Sequence, residues 1–111
     1  MGELYEDRRQ EPRFTTGGRS RLQTANSGEV EGRILDLSLN GALLECSGKA
    51  LLQVGARHAV VLECDGQPSF RGDALLVRVE GARVGIEFYD MDPQNFAALT
   101  GLIEALRHQR R

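Results

Sequence analysis

The sequence predicts an all-β fold: a six-stranded antiparallel β-barrel with a C-terminal α-helix and a flexible N-terminal arm. Three observations predict it. Between Arg19 and Phe88, apolar and polar residues alternate in short runs, the period of a half-buried strand. Turn residues punctuate those runs at hairpin spacing. After Asp92-Pro93 the apolar spacing changes to three and four, the period of a helix. The 111 residues, 41% of them hydrophobic, suffice for one core and leave no room for a second. The expected organisation is an arm over residues 1–18 and a single domain over residues 19–111.

Residues 1–18 are polar and run into Thr15-Thr16-Gly17-Gly18, which reads as an arm that is mobile unless held. A first strand is expected over Arg19–Thr24, followed by the turn cluster Asn26-Ser27-Gly28. A second runs Val30–Leu37. Asn40-Gly41, both tolerant of positive φ, then signals a tight turn into a third strand, Ala42–Cys46, with Ala42, Leu44 and Cys46 on one face. The fourth, His58–Cys64, places Val60, Leu62 and Cys64 together and ends at Asp65-Gly66. The fifth, Phe70–Val79, sets Leu75, Val77 and Val79 against Leu76 and Arg78. Gly81 marks a hairpin into the sixth, Arg83–Phe88, where Val84, Ile86 and Phe88 point one way. A helix over residues 93–108 follows, with Asp92 as N-cap, Pro93 at the first position and an apolar face of Phe96, Leu99, Leu102, Ile103 and Leu106. Arg107 and His108 complement its C-terminal dipole. Such a helix is expected to lie across the barrel or its mouth.

Composition narrows the function. The net charge of −2 is the wrong sign for a protein that coats DNA or an anionic membrane, so an anionic partner must be met by a local cluster. Thirteen of the fourteen basic residues are arginines, Lys49 being the exception, and the arginine fork suits phosphates and guanine edges. Five arginines lie between Arg8 and Arg21 against one acid, Glu11. No apolar run approaches the length of a membrane span, and the acidic start Met1–Asp7 lacks the apolar region of a signal peptide. A cytoplasmic protein without membrane insertion is expected. Cys46 and Cys64 have no metal-site spacing and fall on apolar-alternating runs, so both are expected as buried thiols. His58 and His108 are the only histidines, and no nucleophile–base pattern or phosphate loop accompanies them. An enzyme is not expected, and neither a metal nor a cofactor is called for.

Two clusters remain. In Arg8-Arg9-Gln10-Glu11-Pro12-Arg13, Arg9 and Arg13 are four apart, and Pro12 stiffens the segment and disfavours helix before it. An extended arm with arginines on both sides can wrap a compact polyanion. In Asp36-Leu37-Ser38-Leu39-Asn40-Gly41, Asp36 ends a strand and Ser38 is expected on the same side. A carboxylate accepts from guanine N–H donors, a hydroxyl adds one donor or acceptor, and Gly41 allows close backbone approach or positive φ.

Together the clusters resemble the PilZ family of cyclic di-GMP receptors. That family carries RxxxR in an N-terminal arm, here Arg9–Arg13, and (D/N)xSxxG at the start of its barrel, here Asp36–Gly41. Its closing strand often carries Gly-x-x-Phe, matched by Gly85-Ile86-Glu87-Phe88. The resemblance spans Arg8 through the helix and departs from the motifs nowhere. It implies a binding-competent receptor for cyclic di-GMP, with Arg8, Arg9, Arg13, Asp36, Ser38 and Gly41 as ligand-binding residues. It implies an arm that orders on the ligand and an effector protein that reads the change. An arginine just before RxxxR, here Arg8, is associated in that family with an intercalated pair of nucleotides, so two ligands per chain are expected. The alternative is a PilZ-like adaptor for protein interaction, for instance in pilus or flagellar control, with nucleotide binding absent or secondary.

Overall fold

In a computed structural model, which describes residues 18–24, 28–47 and 52–109, the alternating runs become six strands. They are β1 (Arg19–Thr24), β2 (Gly28–Leu37), β3 (Gly41–Cys46), β4 (Arg57–Glu63), β5 (Phe70–Glu80) and β6 (Arg83–Tyr89). All pair antiparallel in the order β1-β2-β3-β6-β5-β4, and β4 returns to β1 to close the barrel. Gly66 and Gly81 take positive φ, 82° and 61°, in the turns that lead out of β4 and from β5 into β6. The residues just before β4 pair with β5: Gly55 N–H donates to Leu76 O and Leu76 N–H to Ala56 O.

The barrel interior is filled by one side chain set per strand. Leu22, Ile34, Leu44, Leu62, Phe70, Ala74, Leu76, Val84 and Ile86 are at most 2% exposed. Phe70 and Phe88 pack as tilted rings 5.0 Å apart. The phase of β5 differs from the simple alternation. Ala74 and Leu76 point inward, Val77 is 40% exposed, and Val79 packs on the core again. The cause is a bulge: Leu76 pairs with Ile86 and Arg78 with Gly85, leaving Val77 as an extra residue. β2 carries a matching bulge at Leu35, between Ile34 and Asp36.

The helix α1 (Pro93–Gln109) starts as the sequence indicates. Asp92 Oδ1 accepts the Asn95 N–H at 2.8 Å, the N-cap bond, and Asp92 O accepts the first intrahelical bond from Phe96. Asp90, at φ 52°, turns the chain from β6 towards it. Leu99, Leu102 and Leu106 join the barrel core, and Ile103 is partly buried against it. Asn95 Oδ1 accepts from Arg71 N–H at the start of β5, while Leu106 abuts Gly18 at the entry to β1. The helix thus lies across the mouth where those strands begin. Gly18, the last residue of the expected arm, is already buried there. Phe96 does not follow its stripe and is 46% exposed.

This packing orders the cost of truncations along one helical stripe. Leu102→Ala should lower the unfolding free energy by about 2–5 kcal/mol, and Phe96→Ala by less than about 1 kcal/mol. Urea unfolding of both variants measures this, and equal losses would mean that α1 packs through another face.

Candidate functional site

The two bulges build the site. Across four strands, Asp36 of β2 pairs with Leu43 of β3, Leu43 with Gly85 of β6, and Gly85 with Arg78 of β5. This row faces outward. It is flanked by two inward rows, Ile34–Leu44–Val84–Val79 and Leu37–Ala42–Ile86–Leu76. β3 and β6 span the interval with one residue each, whereas β2 and β5 each use two. Two residues opposing one is the geometry of a bulge, which re-aims the side chains beside it. Asp36 and Arg78 are therefore presented on one surface, each immediately after its bulge.

Between them the surface is hollow because Gly85 has no side chain. A Cβ there would stand 3.3 Å from Arg78 Cβ and 3.7 Å from Val77 Cγ2. The result is a groove of about 410 Å³, within the range of small-ligand sites. Asp36, Ser38, Asn40, Gly41 and Leu43 line one side, and Val77, Arg78 and Glu87 the other.

Local hydrogen bonds shape the loop between β2 and β3. Ser38 lies beyond the end of β2, so the strand's alternation does not govern it. Its hydroxyl accepts from Asn40 N–H and Gly41 N–H and donates to Gly41 O, each at 3.3 Å. Ser38 N–H also donates to Gly41 O at 2.9 Å, and Phe88 N–H donates to Asn40 O. The Ser38 hydroxyl thus holds the turn. Asp36 Oδ1 accepts Leu37 N–H at 2.9 Å, which orients the carboxylate. Neither Asn40 nor Gly41 takes positive φ, so the expected tight turn of that kind is not formed. Gly41 serves the other purpose: a Cβ there would collide with the Ile86 carbonyl oxygen of the neighbouring strand.

The structure therefore brings Asp36, Ser38 and Gly41 together at one groove. Arg8, Arg9 and Arg13 lie outside the described residues. Val77, Arg78 and Glu87 are groove residues that sequence reasoning passed over, and Gly85 entered it only as part of the Gly-x-x-Phe run. A signal was present. The inward apolar residues Ile34 and Leu37, and again Leu76 and Val79, are three apart instead of two, as a bulge requires. In Gly-x-x-Phe that odd spacing puts Gly85 on the outer wall, while Phe88 packs against the core.

Charge is distributed unevenly around this wall. Arg19 pairs with Asp65 and Arg21 with Glu63, each at 3.2 Å, and Arg33 with Glu45 at 2.8 Å. Arg57 stacks 5.2 Å over the Tyr89 ring. Arg78 is the one cation lining the groove among the described residues. His58 is committed to the sheet, its Nδ1–H donating to Gln23 O at 2.9 Å. Of the two free thiols, Cys64 is buried as expected, but Cys46 is only half-buried; burial still pushes its pKa up, away from a reactive thiolate. Among the described residues no group of acidic, histidine or cysteine side chains could hold a metal ion, and no helix is long and apolar enough to cross a membrane.

A family model for the PilZ domain matches residues 7–105. The chain belongs to the PilZ domain family. Solved PilZ domains share its fold. That of YcgR from Escherichia coli, determined with c-di-GMP, is 26% identical over 87% of this chain and 86% of that one, with a TM-score of 0.71. The PilZ domain of CeSA from a cellulose-synthesizing bacterium is 23% identical, covering 83% of this chain and 94% of its own, with a TM-score of 0.63. A second E. coli YcgR structure, in complex with c-di-GMP, is 22% identical with a TM-score of 0.68. That match takes in 84% of this PilZ chain and 42% of the YcgR chain. No curated protein sequence matches the chain.

Two substitutions separate the roles of the PilZ loop residues in this structure. Gly41→Ala should destabilise the barrel by about 1–3 kcal/mol, because its neighbour is rigid backbone. Ser38→Ala should cost about 0.5–1.5 kcal/mol through its lost turn bonds. Chemical denaturation ranks them, and a neutral Gly41→Ala would show that β3 and β6 are not held this close.

Proposed function

We propose that the chain is a cytoplasmic receptor that binds cyclic di-GMP without transforming it and passes the signal to a partner protein. The observation that carries this reading is the convergence of Asp36, Ser38 and Gly41 on a groove in a chain 26% identical to a PilZ domain determined with c-di-GMP. The groove suits part of such a ligand and not all of it. Its lining holds two acids, Asp36 and Glu87, against Arg78, so it disfavours the ligand's two phosphates and favours a neutral base with N–H donors. Asp36 accepts from the guanine N–H edge. The phosphates need cations from elsewhere, and Arg8, Arg9 and Arg13 are the dense local supply.

Recruiting those arginines explains how binding becomes a signal. Ordering a residue costs about 1–2 kcal/mol, and a good bidentate arginine contact returns about 1–3 kcal/mol. Only a short stretch of the arm can be fixed for that return, so its ordering is poised near balance and depends on the ligand. A partner that recognises the ordered arm reads occupancy. Arg8 adds a third cation, which favours a stacked pair of nucleotides, with four phosphate charges, over one.

Calorimetric titration with cyclic di-GMP tests the reading directly; saturable binding is expected, and its absence sinks the receptor assignment. Arg13→Ala should weaken binding by about 1–3 kcal/mol with unchanged thermal unfolding, and affinity within threefold of the parent would remove Arg13 from the site. Asp36→Ala should penalise cyclic di-GMP more than cyclic di-AMP, since adenine lacks that N–H pattern; equal penalties would make Asp36 a turn residue only.

Stoichiometry forms a separate test. The parent should saturate at two nucleotides per chain and Arg8→Leu should shift towards one. A parent that saturates at one, or a variant that loses only affinity and salt sensitivity, would contradict the pairing role of Arg8.

A further inference from the structure

Arg78 is assigned no role by the motifs, yet it is the groove's only cation among the described residues and makes no hydrogen bond or ion pair with any of them. The arginines at positions 19, 21 and 33, on β1 and β2, all have carboxylate partners. Arg78 also owes its position to the bulge at Val77, without which the outward slot opposite Gly85 would not be its own.

Resting on the receptor reading above, we propose that Arg78 is a specificity-determining residue. Its guanidinium reads the O6/N7 edge of the same guanine whose N–H edge Asp36 reads, with the base lying over Gly85. Asp36 and Arg78 stand at the two ends of one four-strand row. Three inter-strand spacings separate their backbones by about 14 Å along the wall. Two side chains reaching inward leave room for one base and a hydrogen bond at either edge. Between them the row offers only half-buried Leu43 and bare Gly85, with Val77 alongside, which gives a smooth apolar floor for a base plane. The donor and acceptor sets also match. A carboxylate only accepts, as the guanine N1–H and N2–H₂ groups need, and a guanidinium only donates in a planar fork, as O6 and N7 need. A phosphate opposite Arg78 would meet Asp36 and Glu87 in the same groove, so the fork is better matched to a base.

The test is a cycle of one substitution and one ligand change. Calorimetry is run on the parent and on Arg78→Met, which keeps the apolar stem, with cyclic di-GMP and with its analogue bearing 7-deazaguanine in place of both guanines. Thermal unfolding of the two proteins should coincide, because Arg78 is exposed and unpaired among the described residues. Arg78→Met should weaken cyclic di-GMP binding roughly 5- to 150-fold. The parent's preference for cyclic di-GMP over the deaza analogue should shrink by at least about fivefold in the variant, since the reader of N7 is gone. Unchanged affinity, or an undiminished preference, overturns the proposal. So does a loss that is equal for both ligands and screened by salt, which would make Arg78 a general attractor of phosphate. In each of those cases the parent still binds cyclic di-GMP, whereas a parent that binds neither ligand overturns the receptor reading itself.

Discussion

Closure of the sheet is the constraint on which the other features rest. Two pairings between strands remote in sequence, β1 with β4 and β3 with β6, convert a set of hairpins into a continuous wall without free edges. The β3–β6 seam has a glycine at its closest point. It brings the Gly41 backbone so close to the Ile86 carbonyl that no side chain fits between them. Once the seam is locked, residues on β2, β3, β6 and β5 fall into rows, and each row must face either the core or the outside.

The wall does not run evenly, and the irregularity is where the site forms. Two core rows are separated by one residue on β3 and β6 and by two on β2 and β5. The extra residues, Leu35 and Val77, form bulges, which bend a strand and re-aim its side chains, while Gly85 leaves the centre without a side chain. An acid and a base stand at opposite ends of the depression. The Ser38 turn then secures the rim by hydrogen bonds to Asn40 and Gly41 and by the backbone bond from Phe88 to Asn40. The same residues that close the barrel thus position the groove, and a stable fold and a formed site are one requirement. α1 serves the fold from elsewhere. Leu99, Leu102 and Leu106 complete the core at the mouth, and none of them lines the groove.

The electrostatics divide the labour in the proposed complex. The arginines at 19, 21 and 33 are neutralised by carboxylates at hydrogen-bonding distance, so that part of the wall presents little net field. The groove is itself weakly acidic. A dianionic nucleotide therefore gains little from the barrel beyond base recognition and must draw its countercharge from the arm. This separation makes the proposed signal a matter of chain entropy against a few directed contacts. The barrel need not deform, because the arm can supply the change.

Much of this was legible in the sequence. Alternation located all six strands to within about two residues, and Asp92-Pro93 with the three-and-four spacing located α1 and its cap. These features are set by local physics: which face a side chain takes, and which residues start a helix. The motif residues Asp36, Ser38 and Gly41 were legible as a cluster because they are neighbours in the chain. Strand order, the inward phase of β5 and the roles of Val77, Arg78 and Glu87 were not. Each depends on register between segments far apart in sequence, and one extra residue in a strand reverses every assignment beyond it. Phe96 carries the same lesson: its spacing places it on the buried stripe, yet in the folded chain it stands 46% exposed. The sequence by itself determined which segments become strands and what chemistry they carry. Only the tertiary structure decided that Asp36 and Arg78 share a surface, because pairing across the closed barrel, and not proximity along the chain, brings them into one row.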